Sequence, residues 1–137
     1  MAYTARKVEY FYTTLNAKAA DAYALLDNLA ALGVNLLALN SLPMGPETIQ
    51  LTLFPEDASH LQRIAKQAGL TLTGPHSALL VQGDDEIGVM ARIYERMRRE
   101  HVDVFASNVV TDGKGRYGCI LYLRPSEADR AAHALSE

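Results

Sequence analysis

Gly83 and Gly88 bracket three acidic residues and one apolar residue, Asp84, Asp85, Glu86 and Ile87. A strand is expected to end in this loop and a helix to leave it, and glycine at such a junction lets backbone come close to a ligand. The first amides of the helix point outward and favour a carboxylate, while Asp84, Asp85 and Glu86 suit an ammonium group. A free amino acid carries both. The plainer use of the same residues is local, with Asp85 capping the helix and Glu86 complementing its dipole. Asn108 is placed near the end of a strand running parallel to the one that enters the loop, two strand spacings or ~10 Å away. Asn40 holds the matching place in the first half of the chain. Each asparagine either reaches a small ligand or satisfies backbone at a strand end.

Other chemistries find less support. His60, His76, His101 and His133 are dispersed, without the neighbours that zinc ligation needs, so surface or packing roles are expected and neither metal nor cofactor is called for. Cys119 is the single cysteine; it lacks a nucleophile context, reads as a buried strand residue and fits a reducing, cytoplasmic setting. Arg92, Arg96, Arg98 and Arg99 lie on and toward the end of one helix, where they complement its dipole. No base and nucleophile pairing stands out, which makes an enzyme the weaker reading. A net charge of −3 over 137 residues argues against a phosphate-tracking nucleic-acid binder. Met1 to Lys7 has no signal-type apolar segment and no run approaches ~20 apolar residues, so no membrane partner is expected.

The loop belongs to the second copy of an internal repeat. At an offset of 68, Val34, Ala38, Asn40 and Gly45 fall on Val102, Ala106, Asn108 and Gly113. At an offset of 70, Leu51, Leu53, Pro55 and Ala58 fall on Leu121, Leu123, Pro125 and Ala128. The two extra residues are expected at the hairpin tip Asp112-Gly113-Lys114-Gly115, where insertion is tolerated.

Periodicity and punctuation supply the elements. Val8 to Tyr12 reads as a strand and Thr13 to Lys18 as a connection. Ala22, Leu25, Leu26, Leu29 and Leu32 mark a helix that Gly33 ends. Val34 to Leu42 and Thr48 to Phe54 form a hairpin around Pro43-Met44-Gly45-Pro46. A second helix opens at Pro55-Glu56-Asp57 and ends at Gly69, and Leu70 to Thr73 reads as a short strand. Gly74-Pro75 marks the boundary between domains at 1–75 and 76–137. The second copy repeats the order with strands at 76–82, 102–111 and 117–124 and helices at 86–100 and 126–135, and stops without a final strand. The expected fold is α+β, two tandem ferredoxin-like βαββαβ units with antiparallel sheets, the second lacking its last strand and so leaving an edge open. Phe54, Phe11, Leu37, Leu39, Leu79, Val81, Phe105, Ile120 and Tyr122 are expected on the helix-free faces. Faces that apolar would pack on each other or on another chain, as in a homo-oligomer.

The order and the stretches Leu80 to Val89 and Val102 to Asn108 resemble the ACT domain, across nearly the whole chain as a tandem pair. That resemblance implies a regulatory protein that binds an amino acid or similar metabolite, acts by ligand-dependent packing between domains or chains, and serves a regulated enzyme partner. It assigns Gly83, Asp84, Asp85, Glu86, Ile87 and Gly88 to the ligand loop, and lets Asn108 and Asn40 serve a site in an adjoining unit. Thr13 to Lys18 of the first copy lacks the glycine-bearing loop, which speaks against binding there. The RNA-recognition motif shares the element order, and Arg116 to Tyr122 partly matches its aromatic strand, but one glycine is missing, Cys119 replaces a ring and Ala78 to Val81 offers none.

Overall fold

The computed structural model describes residues 3–136. Its elements are β1 (Tyr3–Asn16), α1 (Ala19–Ala31), β2 (Leu36–Pro43), β3 (Thr48–Pro55), α2 (Ala58–Ala68), β4 (Thr73–Asp84), α3 (Val89–Arg99), β5 (Ala106–Thr111), β6 (Arg116–Tyr122) and, after a 3-10 turn at Pro125–Glu127, α4 (Ala128–Ala134). Hydrogen-bonded strands follow the order β2-β3-β1-β4-β6-β5 in an antiparallel α+β architecture.

Two compact units share this chain, one of Glu9–His76 and one of residues 3–8 with 77–136. Residues 3–8 therefore stand apart from the sequence division at 1–75. They lie in the first part of β1, beside β4, and fill the edge that was expected to be open in the second copy. Tyr3 and Ala5 pack on that copy's core, and Tyr3 Oη donates to the Leu135 carbonyl at 2.6 Å.

In the Glu9–His76 unit, Phe11, Leu29, Val34, Leu51, Leu53 and Leu61 form one buried cluster between strands and helices. Phe11 lies opposite Leu53 in the ladder and so shares its face. α2 follows its sequence signals: the Asp57 side chain accepts the His60 amide, and Gly69 closes the helix at φ +70. In the other unit Val89, Ile93 and Met97, four residues apart on α3, meet Leu79, Val81, Cys119 and Leu121. Each fully buried aliphatic side chain of these clusters contributes about 1.5–3 kcal/mol.

Several expectations are corrected. Phe11, Leu79 and Val81 lie on the helix-covered faces, because apolar residues on alternate positions do not say which face the helices take. Phe54, Ile120 and Tyr122 lie outside both helix-packed clusters and are nonetheless buried within the chain. Thr13 to Asn16 continues β1, and Leu70 to Leu72 is not strand. Gly74-Pro75, a cis peptide, lies inside the continuous strand β4 and makes no turn, while the boundary between the units falls beside it, at His76 and Ser77. The two hairpins have identical registers: Pro43 pairs with Ile49 and Thr111 with Tyr117, an offset of 68 on both arms. The two extra residues enter instead between β6 and α4, where the 3-10 turn lies.

Candidate functional site

β4 delivers Gly83 and Asp84 to the loop, and Gly88 opens α3 in the left-handed region at φ +82. An L side chain there is strained, so glycine is the residue that lets the helix start at this angle. The loop is tied down from three sides. The Asp85 amide donates to the Gly115 carbonyl at 2.9 Å, Val89 N–H to the Glu86 carbonyl at 3.2 Å, and Arg92 Nη1 to the Ile87 carbonyl at 3.4 Å.

Two of the three acids are already partnered. Asp84 Oδ1 receives Arg116 Nη1 at 2.8 Å, and Glu86 Oε1 receives Arg92 Nη2 at 2.6 Å. Asp85, expected as the cap, does not cap α3; no side chain does. Among the described residues its exposed carboxylate meets no cation. Ile87 is 99% exposed, so its side chain contributes nothing to a pocket within this chain. Asp84, Asp85 and Glu86 do not converge, and the described residues hold no group of three His, Cys, Asp or Glu side chains placed for a metal.

Tyr117, which no sequence motif singled out as a ligand contact, stands directly across the ladder from Gly83. It is 4% exposed and packs in the cluster that includes Val89 at the start of α3. Its hydroxyl is buried without a hydrogen-bond partner. Burial pushes its pKa up, while Arg116 and Arg92 act in the opposite sense. An orphaned hydroxyl of this kind costs about 1–3 kcal/mol unless something bonds it.

The asparagines do not join the loop within this unit. Thr111, Tyr117 and Gly83 lie level across β5, β6 and β4, whereas Asn108 is level with Ile120 and Leu80. Three residues of strand, ~10 Å, separate the two levels. Asn108 accepts from Tyr122 Oη at 2.8 Å in mid-strand. Asn40 belongs to the other unit, level with Thr52 and Tyr12. A cavity of about 560 Å³ at the end of the β5–β6 hairpin is lined by Thr4, Gln82, Val110, Thr111, Asp112, Arg116, Tyr117 and Gly118. It flanks the loop through Gln82 and Arg116 without including any loop residue.

The remaining chemistry is structural. Cys119 is buried, and burial pushes its thiol up to about 11. His60 Nε2 lies 3.2 Å from the Leu32 carbonyl, and the His76 ring stacks on Tyr12 at 5.3 Å. No helix among the described residues is long and apolar enough to cross a membrane.

No family model matches the chain, and no curated protein matches it. Solved structures do. A protein from Bacteroides thetaiotaomicron aligns with a TM-score of 0.80 at 16% identity, over 96% of this chain and 88% of that one. The ligand-free regulatory subunit of aspartate kinase from Thermus thermophilus aligns at 0.66 and 13%, over 96% and 93%. A putative C-terminal regulatory domain of aspartate kinase from Porphyromonas gingivalis aligns at 0.57 and 12%, over 98% and 94%. At these identities the likeness is one of fold, an ACT-like ferredoxin fold that spans the chain.

Proposed function

We propose that this chain is a regulatory protein that binds a free amino acid or a similar small zwitterion at the 83–88 loop and acts on an enzyme partner. The observation that carries the reading is the buried, unpartnered Tyr117 hydroxyl beneath a glycine-opened helix start. Arg92 acts on it, the outward amides of α3 lie at the helix start, and the same loop carries the Asp85 carboxylate, groups that suit the two ends of a zwitterion. The regulatory subunits among the similar structures support the same class. The ligand acts to the extent that it prefers one arrangement of the protein over another. Base stacking is disfavoured, because Tyr117 and Tyr122, the rings of the would-be RNA strand, are 4% and 9% exposed.

The test is thermal unfolding against a panel of the free amino acids. A ligand at a hundred times its Kd stabilises the native state by about 2.7 kcal/mol, so some members should raise the midpoint, and Tyr117→Phe should remove the rise. No response to any amino acid at millimolar concentration defeats the reading.

A further inference from the structure

Gly118 is a glycine that its strand does not require. It stands inside β6, paired with Gln82 on β4 and Val110 on β5 in registers that run without a bulge. Its backbone is outside the left-handed region, and a Cβ built on it would meet nothing within 4 Å. Glycine weakens a strand and gives up side-chain packing, so where neither a bulge nor a close backbone accounts for it, the remaining use is room for a ligand. That room is present. Gly118 lines the cavity of about 560 Å³, an ordinary volume for a small-molecule site.

Strand alternation gives the cavity its face. Val81 and Cys119 pack with α3 in the buried cluster, so Gln82, Gly118 and Val110 face away from that helix, and so does Arg116. Tyr3 and Ala5 pack on the same cluster, which turns Thr4 to the cavity side. Gln82 and Val110 stand two strand spacings apart, ~10 Å, with a bare peptide between them. Val110 is 71% exposed and makes an apolar wall, and the next residues on this face, Leu80 and Ile120, are buried. Across from Val110, Gln82 and Thr4 supply a carboxamide and a hydroxyl. At the hairpin end Arg116 is already held by Asp84 at 2.8 Å. Asp112 Oδ1 receives the Lys114 and Arg116 amides at 2.7 and 3.1 Å, which leaves its Oδ2 as the outward acceptor.

We propose that this face binds a flat, uncharged heterocycle with an amide-type edge, the chemistry of a nucleobase or nucleoside. The ring lies over the Gly118 peptide beside Val110. Gln82, whose carboxamide offers a donor and an acceptor together, pairs with the ring edge, and hydroxyls of an attached sugar reach Asp112 Oδ2. A phosphate is excluded by the same groups, because it would face the Asp112 carboxylate and compete with Asp84 for Arg116. The proposal goes beyond the amino-acid reading and stands without it, since this cavity is on the side of the strands away from α3.

The test is isothermal titration of the intact chain with adenine, uracil, adenosine and uridine, with backbone amide shifts recorded alongside. Saturable binding at up to millimolar concentration is expected, with shifts at Gln82, Val110 and Gly118. Gly118→Val fills the trough. Its Cβ enters open space and a β-branched residue suits a strand, so the variant should melt no lower than wild type yet bind at least roughly tenfold more weakly. Gln82→Leu keeps the size of the rim, removes its hydrogen bonds and should weaken binding by a similar factor. The corresponding nucleoside monophosphates should bind less tightly than the nucleosides. Absence of binding with every one of these bases and nucleosides overturns the proposal. So does a folded Gly118→Val or Gln82→Leu protein that binds as well as wild type, or a monophosphate that binds more tightly than its nucleoside.

Discussion

Removing residues 1–8 tests whether the start of β1 belongs to the second unit. Beside β4 residues 3–8 contribute a strand ladder, worth roughly 3–6 kcal/mol at about 1 kcal/mol per net hydrogen bond. Partly buried Tyr3 and Ala5 cover the Leu79–Leu121 core, adding about 2 kcal/mol of apolar burial, and the Tyr3 Oη bond to Leu135 adds about 1 kcal/mol. The exposed Lys7–Asp129 pair adds little. The total, roughly 6–9 kcal/mol, rivals the whole stability of a unit this size, about 3–10 kcal/mol. In a chain starting at Glu9, amides of residues 77–84 and of β6 should exchange with solvent nearly as fast as in an unfolded chain, while β3 and α2 keep their protection. Full protection of residues 77–84 in the shortened chain would refute the assignment.

Three further outcomes are expected. Tyr117→Phe deletes an orphaned buried hydroxyl while keeping the ring, so the unliganded protein should hold its stability or gain about 1 kcal/mol, read by denaturant unfolding; a loss would mean that the hydroxyl is bonded in the free protein. The Cys119 thiol ionises near 9.0 in the open chain and near 11 when folded, so the unfolded state sheds its proton first and stability should fall as pH rises through that interval. Cys119→Ala should flatten that slope in unfolding curves taken across the range. Asp84→Asn breaks an exposed ion pair with Arg116 and should shift stability by less than about 1 kcal/mol, measured in the same way; a large loss would show the pair holding the loop.

Much of the fold was legible because local chemistry agreed with it. Asp57 and Gly69 frame α2, Gly33 follows α1 at φ +80, and the hairpin at Pro43–Pro46 falls between β2 and β3. Gly74 lies two residues before the boundary between the units, at His76 and Ser77, yet inside a continuous strand. Its φ is +140, and a Cβ there would come within 2.8 Å of the Tyr10 carbonyl oxygen, so the glycine also serves a close approach of β1. The ownership of residues 3–8 was hidden because strand pairing over such a distance leaves no local trace. At the site, Gly88 and the acidic run were visible, but their ion pairs with Arg92 and Arg116 depend on tertiary placement. Tyr117 was within reach: carrying the offset of 68 through the second hairpin sets it opposite Thr111.

Tyr3 and Leu135, joined by one hydrogen bond, are 132 positions apart in sequence. Each residue of loop that must close before such a contact forms adds entropy to the barrier, and folds dominated by distant pairings acquire structure late. Synthesis proceeds from the N-terminus, so Glu9–His76 can close while the rest of the chain is still being made. The start of β1 waits for β4 and gains its contact with Leu135 only once the 132 residues that separate them have been made.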